Sequence, residues 1–166
     1  MGHVSTTKTN QFVPAGQIVK TAGTWTTSVT SNVVGDARTA GVASFELLLP
    51  IILPGSEAYR QGARIKTITL YYQIGTAAAT DFATVAMHKM TLGAAVSGEA
   101  VSIALDANHD TAAKRKTVGV HEMTITLAEP AWIKEDEGFY LQCVVSAAAT
   151  TVFTLFGAVL GYEFNL

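Results

Sequence analysis

The sequence predicts an all-β protein: an antiparallel β-sandwich of about eight strands, jelly-roll-like in architecture, with an extended N-terminal arm. Three observations predict this fold. Apolar and polar residues alternate with a period of two in many segments, which is typical of strands with one buried face. No segment of ten or more residues places its apolar side chains at helical spacing. Turns rich in glycine, proline, alanine and threonine separate the segments, which favours a sandwich or a barrel.

The predicted strands begin at residue 24 and continue to the C-terminal end. The alternation is clearest in the third strand, where Ile68, Leu70 and Tyr72 share one face. The eight strands span residues 24–29, 42–49, 64–74, 82–92, 101–105, 121–127, 139–145 and 152–164. We expect their inward side chains to meet in one shared core that contains Ile68, Leu70, Tyr72, Ile125, Leu127, Leu141, Val145 and Leu155.

Particular residues mark how several strands begin, end or bend. The first strand opens with Trp25, and Pro50 ends the second because proline lacks the amide donor that a strand ladder needs. A turn of small residues at 75–80 precedes the fourth strand. Gly157 and Gly161 predict bulges or close backbone contacts in the last strand.

Residues 1–23 are predicted to form an extended arm, and residues 24–166 a single β-sandwich domain. The arm has few large apolar residues, so it cannot fold alone. We therefore expect it to lie on a neighbouring subunit or another partner. Its first ten residues are polar and lack the apolar core of a secretory signal, which favours a protein that is made in a cytoplasm.

Charged residues are scarce in this chain. They make up 14% of it, against about 25% in an average soluble domain. The net charge of −2 leaves no basic excess for the phosphates of a nucleic acid. Residues 139–162 contain no charge, but their alternation and the break at 147–151 favour two paired strands over a membrane-spanning helix. We therefore expect neither nucleic acid nor a membrane as a partner.

Outer faces with so few charges favour contact with other subunits. We expect the chain to bind copies of itself through large apolar side chains. The candidates for this interface are Phe12, Trp25, Phe153, Phe156 and Phe164. Exposed aromatic rings could alternatively form a platform for a glycan, and the candidates for that role are Trp25, Trp132, Tyr59, Tyr71 and Tyr140.

One loop carries part of a metal-binding pattern. Asp106, Asn108 and Asp110 have the spacing of the first three oxygen ligands of a calcium loop. The rest of the pattern is missing, because Thr111 stands where that loop needs glycine and Thr117 where it needs glutamate. A polar loop between strands is the alternative interpretation.

No complete catalytic motif is present in the sequence, so we expect no enzymatic activity and no cofactor. His88 and His121 could form a metal pair only if folding made their strands neighbours. Cys143 lies in an apolar run, which predicts a small buried side chain and not a reactive thiol. The basic cluster at 114–116 stands beside acidic residues and predicts a solvated loop.

The C-terminal part of the chain resembles a family of viral proteins. The segments MTITL, WIKEDEGFYL and TLFGAVLGY, together with the strand at 65–74, carry this resemblance. The segment from about residue 60 to residue 166 resembles small β-sandwich proteins encoded in the structural gene clusters of tailed phages. The resemblance is in the pattern of the strands and not in a specific motif. No functional residue carries over from it.

The resemblance implies a virion structural protein, either a capsid decoration or cement protein or a tail component, made in the host cytoplasm. Its partners would be copies of itself and a major capsid or tail protein. The alternative function is that of a carbohydrate-binding β-sandwich module on a phage fibre or surface protein.

Overall fold

The computed structural model describes residues 6–30, 32–52, 63–134 and 136–165. They form two antiparallel sheets that pack face to face, which confirms the predicted all-β sandwich. The described residues contain twelve strands instead of about eight, because several short strands at the sheet edges lack a clear alternation in the sequence. No helix in this part of the chain is long and apolar enough to span a membrane.

The strands are β1 (Thr6–Pro14), β2 (Val19–Lys20), β3 (Trp25–Thr30), β4 (Val33–Arg38), β5 (Ala43–Ile51), β6 (Ala63–Gly75), β7 (Asp81–Thr91), β8 (Ser97–Val101), β9 (Ile103–Leu105), β10 (Gly119–Trp132), β11 (Glu137–Ala147) and β12 (Val152–Asn165). A 3-10 helix, η1 (Ala15–Gln17), and one turn of α-helix, α1 (Ala112–Arg115), connect strands. Sheet A has the order β3-β4-β12-β6-β10-β9, with β1 also paired to β12, and sheet B has the order β2-β5-β11-β7-β8.

The inner faces of the two sheets meet in one core, and all eight side chains predicted for it are buried there. Aromatic rings cross this core from one sheet to the other. Tyr72 and Phe153 of sheet A stack with 5.3 Å between ring centroids, and Phe153 meets Phe45 of sheet B edge to face at 5.1 Å. Such ring pairs add about 0.5–1.5 kcal/mol each to the stabilisation that burial provides.

Strand β12 runs through the centre of sheet A. On one side it pairs with β6, and on the other side β4 pairs with its beginning and β1 with the remainder. The change of neighbour falls at a bulge, where Phe156 has no partner on β6. The bulge predicted at Gly157 is confirmed. A second register shift follows Gly161, but its extra residue, Lys66, lies on the neighbouring strand β6.

The N-terminal arm is extended, as expected, but it lies on its own domain. Residues 6–14 form β1 and pair with β12 in unbroken antiparallel register, and the side chains of Val13 and Ile18 are buried in the core. The described part of the arm therefore does not lie on a neighbouring subunit, because β12 itself offers the free edge that β1 fills. The domain boundary at residue 23 stays a prediction.

The uncharged segment 139–162 does not form a pair of neighbouring strands. Its two strands lie in opposite sheets, since β11 pairs with β5 and β7 whereas β12 pairs with β6, β4 and β1. The alternation predicted each strand but not its partner, because the short turn between them fits both arrangements. The predicted fifth strand is divided in the same way, with β8 in sheet B and β9 in sheet A.

We expect Gly157→Ala to destabilise the fold by about 1–3 kcal/mol, because the φ of +139° at Gly157 strains any L side chain. A Cβ there would also lie 2.5 Å from the carbonyl oxygen of Val13. Gly16→Ala is the matched control, since a Cβ at Gly16 meets nothing within 4 Å, and its effect should stay below about 0.5 kcal/mol. Urea unfolding measures both variants, and equal stabilities would contradict the backbone contact at Gly157.

Candidate functional site

A broad cleft of about 790 Å³ opens where the loop between β9 and β10 crosses sheet A. Its polar lining consists of Asp106, Asn108, His109, Lys114, Thr117, His121, Glu122 and Thr124. The sequence predicted this loop as an exposed, solvated tip. That prediction is wrong for the middle of the loop, because the side chains of His109 and Arg115 are buried.

Arg115 fastens the loop to strand β7. Its guanidinium donates from Nε to the carbonyl oxygen of Phe82 at 2.9 Å and from Nη2 to that of Ala83 at 3.0 Å. Nη1 donates to the carbonyl oxygen of His109 at 2.7 Å, and the Tyr72 hydroxyl donates to the carbonyl oxygen of Arg115 at 2.8 Å. The hydrogen-bond donors of the guanidinium are therefore used inside the protein, and this group does not face an acidic partner.

Asp106, His109, His121 and Thr117 form a continuous chain of polar contacts. The Asp106 carboxylate lies 2.9 Å from His109 Nδ1, and His109 Nε2 lies 3.2 Å from His121 Nδ1. His121 Nε2 lies 2.9 Å from the carbonyl oxygen of Thr117. The Tyr72 ring stacks on His121 with 4.6 Å between centroids, which holds the plane of the imidazole.

The number of hydrogen bonds that can form along this series of contacts depends on how many protons the two imidazoles carry. The two ends of the series, a carboxylate and a carbonyl oxygen, only accept hydrogen bonds, so each of the three links needs a proton on a ring nitrogen. Two neutral imidazoles carry two protons. All three links form together only when the pair carries a third proton, and that proton gives it a positive charge opposite Asp106.

Hydrogen bonds hold Asp106 in its charged form. Partial burial acts to raise the pKa of Asp106, but hydrogen bonds outweigh it and hold the pKa below its ordinary value. The donors are the backbone N–H of Thr124 at 2.7 Å, the His109 ring and the backbone N–H of Asn108 at 2.9 Å. Both carboxylate oxygens are thus occupied within the protein.

The three residues of the calcium-loop pattern take other roles. Asp106 accepts the hydrogen bonds of the imidazole chain, Asn108 donates its backbone N–H to Asp106, and the Asp110 carboxylate pairs with Lys114 Nζ at 2.8 Å. Within residues 6–30, 32–52, 63–134 and 136–165, no three His, Cys, Asp or Glu side chains converge where a metal ion could bind.

His88 and His121 could form a metal pair only on neighbouring strands, but their strands β7 and β10 lie in different sheets. His88 instead contacts the Gln142 side chain at 3.0 Å on the outer face of sheet B. Cys143 is buried in the core, and burial raises the pKa of its thiol to about 12. A thiol with this pKa is almost entirely protonated at neutral pH, which agrees with a structural role.

The five aromatic residues predicted for an interface divide between core and surface. Phe153 and Phe164 are buried in their own subunit and do not lie on an outer face. Phe12 is 61% exposed, whereas Trp25 and Phe156 are half-buried. Of the residues predicted for a glycan platform, Tyr59 lies outside the described residues.

A second cleft, of about 310 Å³, lies on the outer face of sheet A, where residues of β3 and β4 face residues of β6 and β12. Phe156, the extra residue of the bulge in β12, lines it. A Cβ at Gly35 would come within 3.0 Å of the Phe156 ring, so glycine lets β4 lie against this ring. Ser28, Gln73 and Thr154 contribute hydroxyl and amide groups to the cleft.

The sequence analysis missed the pairing of His109 with His121, although one signal for it was present. His121 alternates with Met123 and Ile125, which places its imidazole on the inner face of the sheet. A buried imidazole needs a hydrogen-bond partner. That partner comes from a loop without periodicity, so nothing in the strand pattern could identify it.

No protein-family model and no curated protein matches the chain. Among solved structures it is similar to TmCBM61 in complex with β-1,4-galactotriose, with 11% identity, a TM-score of 0.39 and coverage of 96% of this chain and 88% of that one. It is also similar to the carbohydrate esterase vb_24B_21 from Shiga toxin-encoding bacteriophage phi24B, with 12% identity, a TM-score of 0.38 and 90% coverage of each chain. Similarity at this level carries no argument about function.

We expect Asp106→Asn to destabilise the protein by about 1–3 kcal/mol at neutral pH, because the His109 ring and the backbone N–H groups of Asn108 and Thr124 lose a charged acceptor. The pKa of Asp106 is lowered in the folded protein. Its contribution is therefore present above the ordinary carboxyl value of 3.8 and is lost as the pH falls through the lower folded value. The difference between wild type and variant should narrow in acid.

Asp110→Asn is the control for this variant. Asp110 stands four residues away and forms an exposed ion pair with Lys114, so its loss should change the free energy of unfolding by less than about 0.5 kcal/mol. Urea unfolding of the wild type and both variants, at neutral pH and at about pH 3, measures these differences. A loss at Asp106 that is equally large at both pH values would contradict the assignment.

Proposed function

We propose that the protein is a non-catalytic structural protein that acts through contacts between subunits, as a capsid decoration or cement protein or a tail component. The observation that carries this proposal is the small number of charges on the outward side of both central strands, as far as the structure describes them. On β11 the outward side chains are Tyr140, Gln142, Val144 and Ser146. On β12 they include Thr154, Phe156 and Val159, and the charged Glu163 near its end pairs with Arg64 and Lys66 of β6.

Charges near these faces are paired with neighbouring groups. Glu122 accepts a hydrogen bond from the Tyr71 hydroxyl at 3.1 Å on sheet A, and Glu46 accepts one from Gln142 Nε2 at 3.2 Å on sheet B. Exposed charges of both signs normally keep a free monomer apart from its neighbours. Sheet faces with so few charges favour contact with the surface of another protein.

The placement in a virus particle, made in the host cytoplasm, is supported by the resemblance of about residues 60–166 to tailed-phage structural proteins. In that setting the partners are further copies of this chain and a major capsid or tail protein. Both kinds of contact use surfaces and need no catalytic group.

We expect the purified chain to form oligomers, because faces with few charges lower the electrostatic cost of bringing subunits together. Light scattering after size exclusion should give a mass that is a multiple of 17.5 kDa. Particles purified from infected cells should contain the protein in a fixed number of copies. A monomer of 17.5 kDa at high concentration, absent from purified particles, would contradict the proposal.

Carbohydrate binding is the second candidate function, and the cleft beside Phe156 favours it. Its volume of about 310 Å³ lies at the lower end of the range for small-molecule sites. An apolar ring beside Gln73 and Thr154 matches a pyranose, which has an apolar C–H face and a rim of hydroxyl groups. The side chains of Gln73 and Thr154 line the cleft, where an amide and a hydroxyl group can form hydrogen bonds with the hydroxyl groups of a ligand.

Under this second function, Gln73→Ala and Phe156→Ala should each weaken binding of an oligosaccharide by about tenfold or more, since each removes one contact of the cleft. Thr126→Ala on the same face of sheet A, outside the cleft, is the control and should leave binding unchanged. NMR titration of the wild type with a panel of hexoses and their oligomers measures this. No chemical-shift change around the cleft with any sugar would exclude the second function.

A further inference from the structure

Strand β3 forms one edge of sheet A and carries none of the features that keep an edge strand from pairing. In the described part of the chain, no strand pairs with the outer side of β3. Its six residues contain no charge, no proline and no glycine, and four of them are β-branched. The free N–H and C=O groups of such an edge can form hydrogen bonds with another strand.

The other edge strands that the structure describes are protected or short. Strand β1 contains Lys8 and ends at Pro14. Strand β8 contains Gly98 and Glu99. Strands β9 and β2 have three and two residues. Charge, proline and short length are the common ways in which proteins prevent edge pairing, so β3 stands apart from these edges.

The chain segment that contains β3 also lacks exposed charge. Residues 21–35 contain no charged residue, and the two charges that flank them neutralise each other. Lys20 Nζ lies 2.6 Å from Asp36 Oδ2, and both side chains are about nine-tenths buried. Asp36 Oδ1 also accepts a hydrogen bond from the Thr27 hydroxyl at 2.6 Å. No like charges would therefore oppose each other if this edge met a second copy of itself.

Exposed apolar side chains accompany the free backbone edge. Val29 is 68% exposed and Val34, its register partner on β4, is 56% exposed. Val33 is 50% exposed. A standard interface takes about 800 Å² from each partner, roughly a tenth of the 8766 Å² surface of this chain. Because an edge of six residues is short, the exposed valines must also be buried if the interface is to approach that area.

The start of β3 is already fixed before any partner arrives. The Trp25 indole donates to the carbonyl oxygen of Ala22 at 2.9 Å. Its ring packs edge to face on Phe45, with 5.3 Å between centroids. A strand that is held in its paired conformation loses less entropy on association than a loose segment does.

We propose that β3 pairs antiparallel with β3 of a second copy of this chain, which joins two A sheets into one continuous sheet. This inference rests on the proposed function, because it names the surface through which subunits meet. An antiparallel edge is complementary to itself, since a two-fold axis places each donor of one strand opposite an acceptor of the other. An edge without charge adds no repulsion to this contact.

Substitution of lysine on the edge tests the inference. Val29→Lys should weaken self-association of the full chain by at least about tenfold, because the two-fold axis brings the new charges of both copies to the same interface. Thr26→Lys, at a second exposed position of β3, should do the same. Val120→Lys is the matched control, because Val120 is 72% exposed on β10, four strands away in sheet A. Sedimentation equilibrium measures the association constants.

The outcomes separate this inference from the function on which it rests. Weaker association of both β3 variants, with the control unchanged, supports the pairing of β3. An oligomeric wild type whose association neither β3 variant alters overturns the pairing and leaves the proposed function standing. Equal weakening by all three lysines also overturns it, since charge alone would then explain the effect. A wild type that is monomeric at every concentration overturns both.

Discussion

At each position along its length, strand β12 can pair with only one strand on the side opposite β6. Which strand pairs at which position determines two features of the molecular surface. Strand β4 pairs with β12 before the bulge at Phe156 and β1 pairs with it after Gly157. Because β1 occupies the second place, β4 and its partner β3 separate from β12 at the bulge. This separation opens the cleft beside Phe156 and leaves β3 with a free outer edge.

The protein pairs several of its buried charges internally, and this leaves few charges on its faces. Lys20 pairs with Asp36, Arg115 donates to three backbone carbonyls, and Asp106 lies opposite the imidazole pair. These groups hold a loop, a strand edge and the sandwich together, but they contribute little charge to the surface. Apart from Glu163, which pairs with Arg64 and Lys66, the central strands present mainly hydroxyl, amide and apolar groups on their outer faces. Another protein can cover a surface of this kind.

The period of two predicted the strands and the core, because it depends only on the local order of apolar and polar residues. Leu70 and Leu141 are buried as predicted, and Gly157 marks a bulge. The pattern could not predict strand partners, since a short turn fits both a pair within one sheet and a crossing between sheets. Arg115 and His109 were missed because their burial depends on carbonyl and imidazole groups that only the folded chain brings to the loop.

Amide hydrogen exchange in β3, measured in dilute and in concentrated protein, tests most directly the central claim that subunits meet through uncharged surfaces. The amides of β3 that point away from β4 pair with no strand of the described chain, and pairing with a second subunit would protect them. The account predicts fast exchange of these amides in dilute protein and slow exchange in concentrated protein, while the edges β8 and β9 exchange fast in both. Fast exchange of every outward amide of β3 at all concentrations would contradict it.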